Sequence, residues 1–347
     1  MRSKRSGVVR GTRDRSAKNK DSSKAMLTLT ALLPAIGALV LAKEALSLLA
    51  VLFRTVLRPA KDPRKFGKWA IVTGATDGIG KAFAFQLAKK KMSVLLISRS
   101  PDKLAHVAEE LRDQHPDIDV AVEAVDFADL TPSRLEELKA VIDELDIGLL
   151  VNNVGMSYPF AQWFDELTDA EVESLLRLNV ESTTWMTRLV LPGMIARKRG
   201  AVVNQSSAAA RFSLPLLAQY SAAKGYIENF TRSLASEYAS KNLHFQCQSP
   251  FWVSTAMTFP GSRVAVDKRA TLATPTARTY AKYAVRAIGY EVFTSPYPIH
   301  EIAVWVLSRI PSFILDAQIL SMHKGVRFHK KNVEKMSEKK GKKVKST

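Results

Sequence analysis

Two patterns of hydrophobic positions divide this chain. From Trp69 onward, short β-branched runs recur as "WAIVTG", "SVLLISR", "DVAVEAVDF", "IGLLVNN", "GAVVNQSS" and "HFQCQSP", and the stretches between them have amphipathic helical spacing. Strands and helices alternating in this way predict an α/β fold, a parallel sheet covered by helices on both faces. Residues 66–323 carry this pattern as one domain. Ahead of it, "MLTLTALLPAIGALVLAKEALSLLAVLF" is broken by charge only at Lys43 and Glu44, and residues 26–57 read as a membrane anchor. One span needs about 20 apolar residues. The segment supplies them if Lys43 and Glu44 sit at an interface, with an interfacial or re-entrant anchor and a buried soluble helix as the other readings. The run begins late and lacks a convincing cleavage site, which argues against a signal peptide. Cations flank it on both sides, so the positive-inside rule casts no vote.

Charge changes the picture only at the ends. The 347 residues carry a net +18, but residues 1–24 hold nine Lys/Arg against two Asp, and residues 324–347 hold ten against two Glu. Residues 1–25 therefore read as a basic disordered arm and 324–347 as a basic, low-complexity disordered tail. A polybasic arm beside an apolar segment favours anionic lipid headgroups, so membrane lipid is an expected partner. Without aromatic interleaving or a binding motif, nucleic acid is not. The single cysteine, Cys247, has no base nearby in sequence and reads as a buried structural thiol in a reducing compartment. No metal is expected.

Candidate chemistry sits on the strand ends. "WAIVTGATDGIGKAFAFQLA" is a strand, a glycine-rich turn and a helix: Gly74 permits the turn, Gly78 lets backbone approach a pyrophosphate, and Gly80 allows close helix packing. With the phosphate on the helix N-terminus, this is a dinucleotide site, and the fold class becomes Rossmann-like and doubly wound. At the end of the second strand, "LLISRSPDK" offers Ser98 and Arg99 and no acid, which suits a 2′-phosphate by charge and geometry and implies NADPH. In "QYSAAKGY", Tyr220 and Lys224 are one helical turn apart on one face. By spacing alone they are a core pair, or an acid and the cation that lowers its hydroxyl pKa from about 10.

These elements together resemble the short-chain dehydrogenase/reductase family over roughly residues 66–325. "TGATDGIG" is similar to its T-G-x-x-x-G-x-G turn, "NNVG" at 152–155 to its N-N-A-G, and "YSAAK" to its Y-x-x-x-K; Ser207 stands 13 residues before Tyr220, and Asn179 lies in "LLRLNVES". The resemblance implies Asn179, Ser207, Tyr220 and Lys224 as the catalytic set. It implies cofactor contacts from Gly74, Thr76, Asp77, Gly78, Ile79, Gly80, Ser98, Arg99, Asp126, Asn153, Tyr220, Lys224, Val253 and Thr255. Asp126 also reads as a helix cap. "PFWVST" departs from the family's P-G-x-V-x-T, with Phe251 in place of glycine.

That aromatic, the preceding anchor and "TPTARTYAKYAVRAIGYE" resemble the branch of the family that reduces very-long-chain 3-oxoacyl-CoA thioesters and 17-keto steroids. The resemblance implies NADPH-dependent reduction of a long 3-oxoacyl-CoA to the 3-hydroxyacyl-CoA in fatty-acid elongation, with a steroid reductase or a silent membrane-tethered scaffold as alternatives. Residues 256–323 would form the substrate loop and C-terminal helices. Arg263, Lys268 and Arg269 are candidates for CoA phosphates. Acyl-CoA, other elongation enzymes and a second copy of the chain are the expected partners. The terminal "KVKST" resembles a K-x-K-x-x dilysine signal, with Lys343 and Lys345. Such a signal is read from the cytosol, so the endoplasmic-reticulum membrane with a cytosolic catalytic domain is the expected address.

Overall fold

The computed structural model describes residues 9–259 and 265–344, and the chain divides into two units, Met1–Arg54 and Thr55–Thr347. The first is one helix, α1 (Val9–Leu52). From Leu32 to Leu57 the chain is long and apolar enough to cross a membrane, which fits an anchor. The arm, expected to be irregular, continues this helix from Val9. Its Lys, Arg and Ala are good helix formers, and once the apolar segment is helical each added residue extends it without a new nucleus.

The second unit is built on a seven-stranded sheet in the order β3-β2-β1-β4-β5-β6-β7, with every pair parallel. The strands are β1 (Trp69–Thr73), β2 (Ser93–Ser98), β3 (Val120–Ala124), β4 (Ile147–Asn152), β5 (Gly200–Gln205), β6 (Leu243–Gln248) and β7 (Phe293–Thr294). The helices are α2 (Gly78–Lys89), α3 (Pro101–Gln114), α4 (Pro132–Asp143), α5 (Asp169–Leu176), α6 (Ser182–Arg197), α7 (Ala218–Glu237), α8 (Ala277–Ala287), α9 (Pro298–Leu307) and α10 (Ser312–Val344). The lysine-rich tail, expected to be disordered, lies within α10 as far as Val344; residues 345–347 are outside the described residues, Lys345 among them.

Alternation along each strand sorts the core into two layers. Ala70, Val72, Val94 and Leu96 face α2, α3 and α8 through Phe83, Leu87, Leu104, Leu111, Tyr280 and Ala284. Ile71, Leu95 and Ile97 face the other way, onto Leu138 of α4, Met186 and Val190 of α6 and Leu234 of α7. Both faces are dry, as the apolar strands predict. The strand order reverses between β1 and β4, and in such sheets the crevice for a ligand opens at the carboxyl ends of the strands there.

The chain enters this unit along the opposite edge. Arg58 pairs with Glu291 and stacks on Tyr290 at 3.7 Å, the Tyr290 hydroxyl donates to the Pro59 carbonyl at 2.6 Å, and Arg286 donates to the Arg58 carbonyl. Residues 56–61 are thereby fastened immediately before β7.

Candidate active site

The turn between β1 and α2 takes its shape from glycine. Gly74 and Gly78 adopt φ of +63° and +55°, where a side chain is strained, and a Cβ on Gly80 would sit 2.2 Å from the Gly74 carbonyl oxygen. Asp77 caps α2 by accepting from the Gly78 N–H at 2.7 Å. The Asn153 side-chain amide closes the turn, donating to the carbonyls of Thr73 at 3.1 Å and Gly74 at 3.3 Å. Around this turn lies a cleft of about 630 Å³, lined by Gly74, Thr76, Asp77, Gly78, Ile79, Ser98, Arg99, Asp126, Asn153 and Thr255 among others. Ten of the expected cofactor residues thus meet in one place. Thr76 and Ser98 share a hydrogen bond at 3.0 Å, and Arg99 is exposed at the rim. Asp126 caps a turn, accepting from the Ala128 N–H at 2.9 Å, and also lines the cleft.

A second cleft, of about 590 Å³, continues from the first through Ile79, Asn153, Gly155, Met156, Thr255 and Met257. Asn179, Ser207, Tyr220, Lys224 and Val253 line it. Ser207 is the side chain that acts on the Tyr220 hydroxyl, drawing its pKa down. Ser207 also accepts from the Ala209 N–H at 3.2 Å, so it caps a turn as well as meeting the tyrosine. Ser206 is structural, donating to the Lys224 carbonyl at 2.9 Å.

Lys224 is buried, with Nζ donating to the Gln205 carbonyl at 3.2 Å and lying 5.7 Å from the centre of the Tyr220 ring. Burial lowers its pKa to about 8. The sequence led us to expect that Lys224 would depress the tyrosine, and the structure corrects this. Burial holds the Tyr220 hydroxyl above its ordinary value, only partly offset by Ser207. Tyr220 is therefore kept neutral and able to donate.

Asn179 sits in a π-helical turn, Arg177–Glu181, between α5 and α6, a geometry that recurs at functional sites. Its amide donates to the carbonyls of Leu175 at 3.0 Å and Met156 at 2.9 Å, so it clamps the loop after β4. A Cβ on Gly155 would meet Asn179 Oδ1 at 2.7 Å and Lys224 Nζ at 3.1 Å, so this glycine holds open the space between them.

Not every expectation converges. Lys268 and Arg269 are exposed and line neither cleft, Arg269 lying over the Phe259 ring at 5.2 Å. Arg263 lies outside the described residues. Sequence reasoning also missed residues. Lys103, one turn after Arg99 on α3, adds a second cation to the first cleft. Leu307 of α9 and Leu315, Ile319 and Met322 of α10 give the second cleft an apolar wall facing Phe212, Phe251 and Trp252. Phe251 packs against Phe212 at 6.3 Å and His300 at 5.8 Å, which places the departing aromatic on the substrate side.

Known proteins of similar sequence identify the family. The short chain dehydrogenase family matches residues 68–262. A very-long-chain 3-oxoacyl-CoA reductase of Macaca fascicularis is 39% identical over 265 residues, covering 76% of this chain and 82% of its own. An inactive hydroxysteroid dehydrogenase-like protein 1 of Pongo abelii is 37% identical over 251 residues, covering 72% of this chain and 74% of its own. In structure, a short-chain dehydrogenase from Sphingobium yanoikuyae in complex with NADPH superposes with a TM-score of 0.59 at 24% identity, covering 70% of this chain and 96% of that one. Matched over more than half its length by the family model and 39% identical to a reductase across three quarters of the chain, this chain belongs to the short chain dehydrogenase family and is an oxidoreductase that uses a nicotinamide dinucleotide.

Proposed function

We propose that the protein reduces the 3-keto group of a long or very long 3-oxoacyl-CoA with NADPH, giving the 3-hydroxyacyl-CoA of fatty-acid elongation. The observation that carries this is the junction of the two clefts. Ser207 and Tyr220 present their hydroxyls between a dinucleotide cradle on one side and an apolar wall from α9 and α10 on the other. The cradle fits the cofactor because its turn is open at Gly74 and Gly78, with α2 packed close behind it at Gly80, and Arg99 and Lys103 offer cations where a 2′-phosphate would lie. When bound, the nicotinamide supplies the hydride.

The chain's own residues handle the charge that develops on the ketone oxygen. Ser207 donates a hydrogen bond to that oxygen, and Tyr220 transfers its proton to it. Lys224 places a cation beside the site, and Asn179 fixes the loop that carries Gly155 and Met156 against it. Donors oriented in advance in a desolvated site lower the barrier more than equal binding of substrate could. The relatives' name supports the acyl-CoA class, and the apolar wall fits a long alkyl chain.

NADPH oxidation by the purified full chain, followed over a panel of 3-oxoacyl-CoAs and ketosteroids, tests the substrate. Turnover of the thioesters at high kcat/KM supports the reading. Turnover of steroids alone makes it a steroid reductase, and turnover of neither, with NADPH still bound, makes it a scaffold.

The address belongs to the same reading. The apolar segment Leu32–Leu57 and the unpaired, buried Cys247 support an endoplasmic-reticulum membrane protein with its catalytic domain in the cytosol. Protease treatment of intact microsomes should digest that domain, and protection until detergent is added would place it in the lumen.

A further inference from the structure

The apolar wall of the second cleft is one face of a hairpin whose other face is left exposed by the described residues. Helices α9 and α10 meet at a bend of 120° across residues 308–311, and together Pro298–Leu307 and Ser312–Phe328 are apolar enough to pass for a broken membrane span. Neither arm is long enough to cross: ten and seventeen helical residues rise about 15 and 25 Å, against a hydrocarbon core of about 30 Å. The inward side of α10, through Leu315, Ile319 and Met322, lines the cleft. At the bend, Val306, Phe313 and Ile314 face outward, and Phe313 is 73% exposed. A cluster of large apolar side chains in solvent marks a contact surface.

We propose that the α9–α10 bend lies in the surface of the same bilayer that holds the anchor, so that the apolar wall of the cleft opens toward lipid. Three observations favour a bilayer as the occupant. The hairpin starts from the edge of the sheet where the chain from the anchor enters. Arg58 is clasped to Glu291, just before β7, and α9 begins at Pro298, so these seven residues separate them by no more than about 25 Å. The chain beyond residue 323 carries ten Lys/Arg against two Glu, which suits anionic headgroups beside the buried apolar arm. And α10 is pinned to the domain by Arg327, which is paired with Glu166, so the hairpin enters as a fixed part of the cleft wall. Such interfacial helices bury their apolar side about 5–10 Å below the headgroups. A long acyl chain could then pass between lipid and cleft without crossing water; this delivery role rests on the acyl-CoA reading above, whereas the bilayer contact does not.

Cys247 is the only cysteine and is buried, so a single introduced thiol can be labelled alone. The full chain carrying Phe313→Cys, labelled with an environment-sensitive fluorophore, is reconstituted into phosphatidylcholine vesicles with a minority of phosphatidylserine, with and without doxyl-labelled acyl chains. Ala140→Cys, on exposed α4 positions, and Leu46→Cys, in the anchor, are the reference sites. The label at 313 should shift to the blue and lose most of its intensity to the doxyl lipid, as at 46, while that at 140 does neither. A label at 313 that stays at its aqueous wavelength while 46 is quenched overturns the proposal. So does a blue shift at 313 without doxyl quenching, which would mean that a second copy of the chain covers the bend. NADPH oxidation with a 3-oxoacyl-CoA in the same vesicles separates the two readings: quenching without turnover leaves the bilayer contact standing and removes the substrate.

Discussion

Gly80→Ala tests the dinucleotide cradle at its tightest point. The added Cβ would lie 2.2 Å from the Gly74 carbonyl oxygen and 2.5 Å from Asn153 Nδ2. The first neighbour is backbone, so the turn and α2 must separate by about 1 Å to restore ordinary contact, an overpacking strain of roughly 1–3 kcal/mol. The Asn153 amide must also move, stretching its bonds to the carbonyls of Thr73 and Gly74. Each of those bonds is worth about 1 kcal/mol net. Together the strain and the loss of about one bond's worth from the stretched pair amount to about 2–4 kcal/mol, shared between a lower melting temperature and weaker cofactor binding. Placed wholly in binding, that range raises the Kd for NADPH by about 30- to 1,000-fold. The Kd is read from quenching of NADPH fluorescence, and stability from thermal unfolding with and without cofactor. Gly225→Ala is the control: nothing lies within 4 Å of its added Cβ, and inside α7 alanine should raise stability by up to about 1 kcal/mol. If Gly80→Ala left both the melting temperature and the Kd at wild-type values, the assignment of this turn as the cofactor cradle would be wrong.

Tyr220→Phe removes the transferable proton and should lower kcat by about 10²–10⁴-fold while leaving the NADPH Kd within a few-fold; near-normal turnover would show that another group is the acid. Arg99→Asp should move preference from NADPH toward NADH, and unchanged steady-state preference would make Arg99 a surface charge only. Reduction should fall as pH rises through about 8, where Lys224 loses its proton, and a rate flat across that range would detach the lysine from catalysis. Stability carries a linked signature: Lys224 titrates at about 8 folded against 10.5 as a free group, so above 8 the unfolded chain holds more protons and this group makes stability rise with pH. Cys247, raised from 9.0 to about 12, opposes it above 9, so the rise is confined to pH 8–9 and should vanish in Lys224→Met.

The sequence makes some of this visible because the chemistry restricts residue type. Gly74, Gly78 and Gly80 stand where backbone shape or close approach admits little else, and Ser207, Tyr220 and Lys224 are spaced by the geometry that brings them together. The six long strands announce themselves as apolar runs. β7 does not: two residues have no periodicity, and its place is set by pairing with Cys247 and Gln248. The α10 wall was equally hidden, since an amphipathic pattern says that Leu315 and Ile319 share a face but not that the face closes a cleft. The direction of the Tyr220 shift escaped because spacing reveals a neighbouring cation and not the burial that raises the hydroxyl.

The most direct test of the account is to follow the hydride. Purified full chain is given NADPH deuterated at both C4 positions and a long 3-oxoacyl-CoA, and the acyl product is weighed. The account predicts one deuterium, at C3 of a 3-hydroxyacyl-CoA, formed by the wild type and nearly lost in Tyr220→Phe. A 3-hydroxy product without deuterium, or NADPH bound but never consumed, would contradict it.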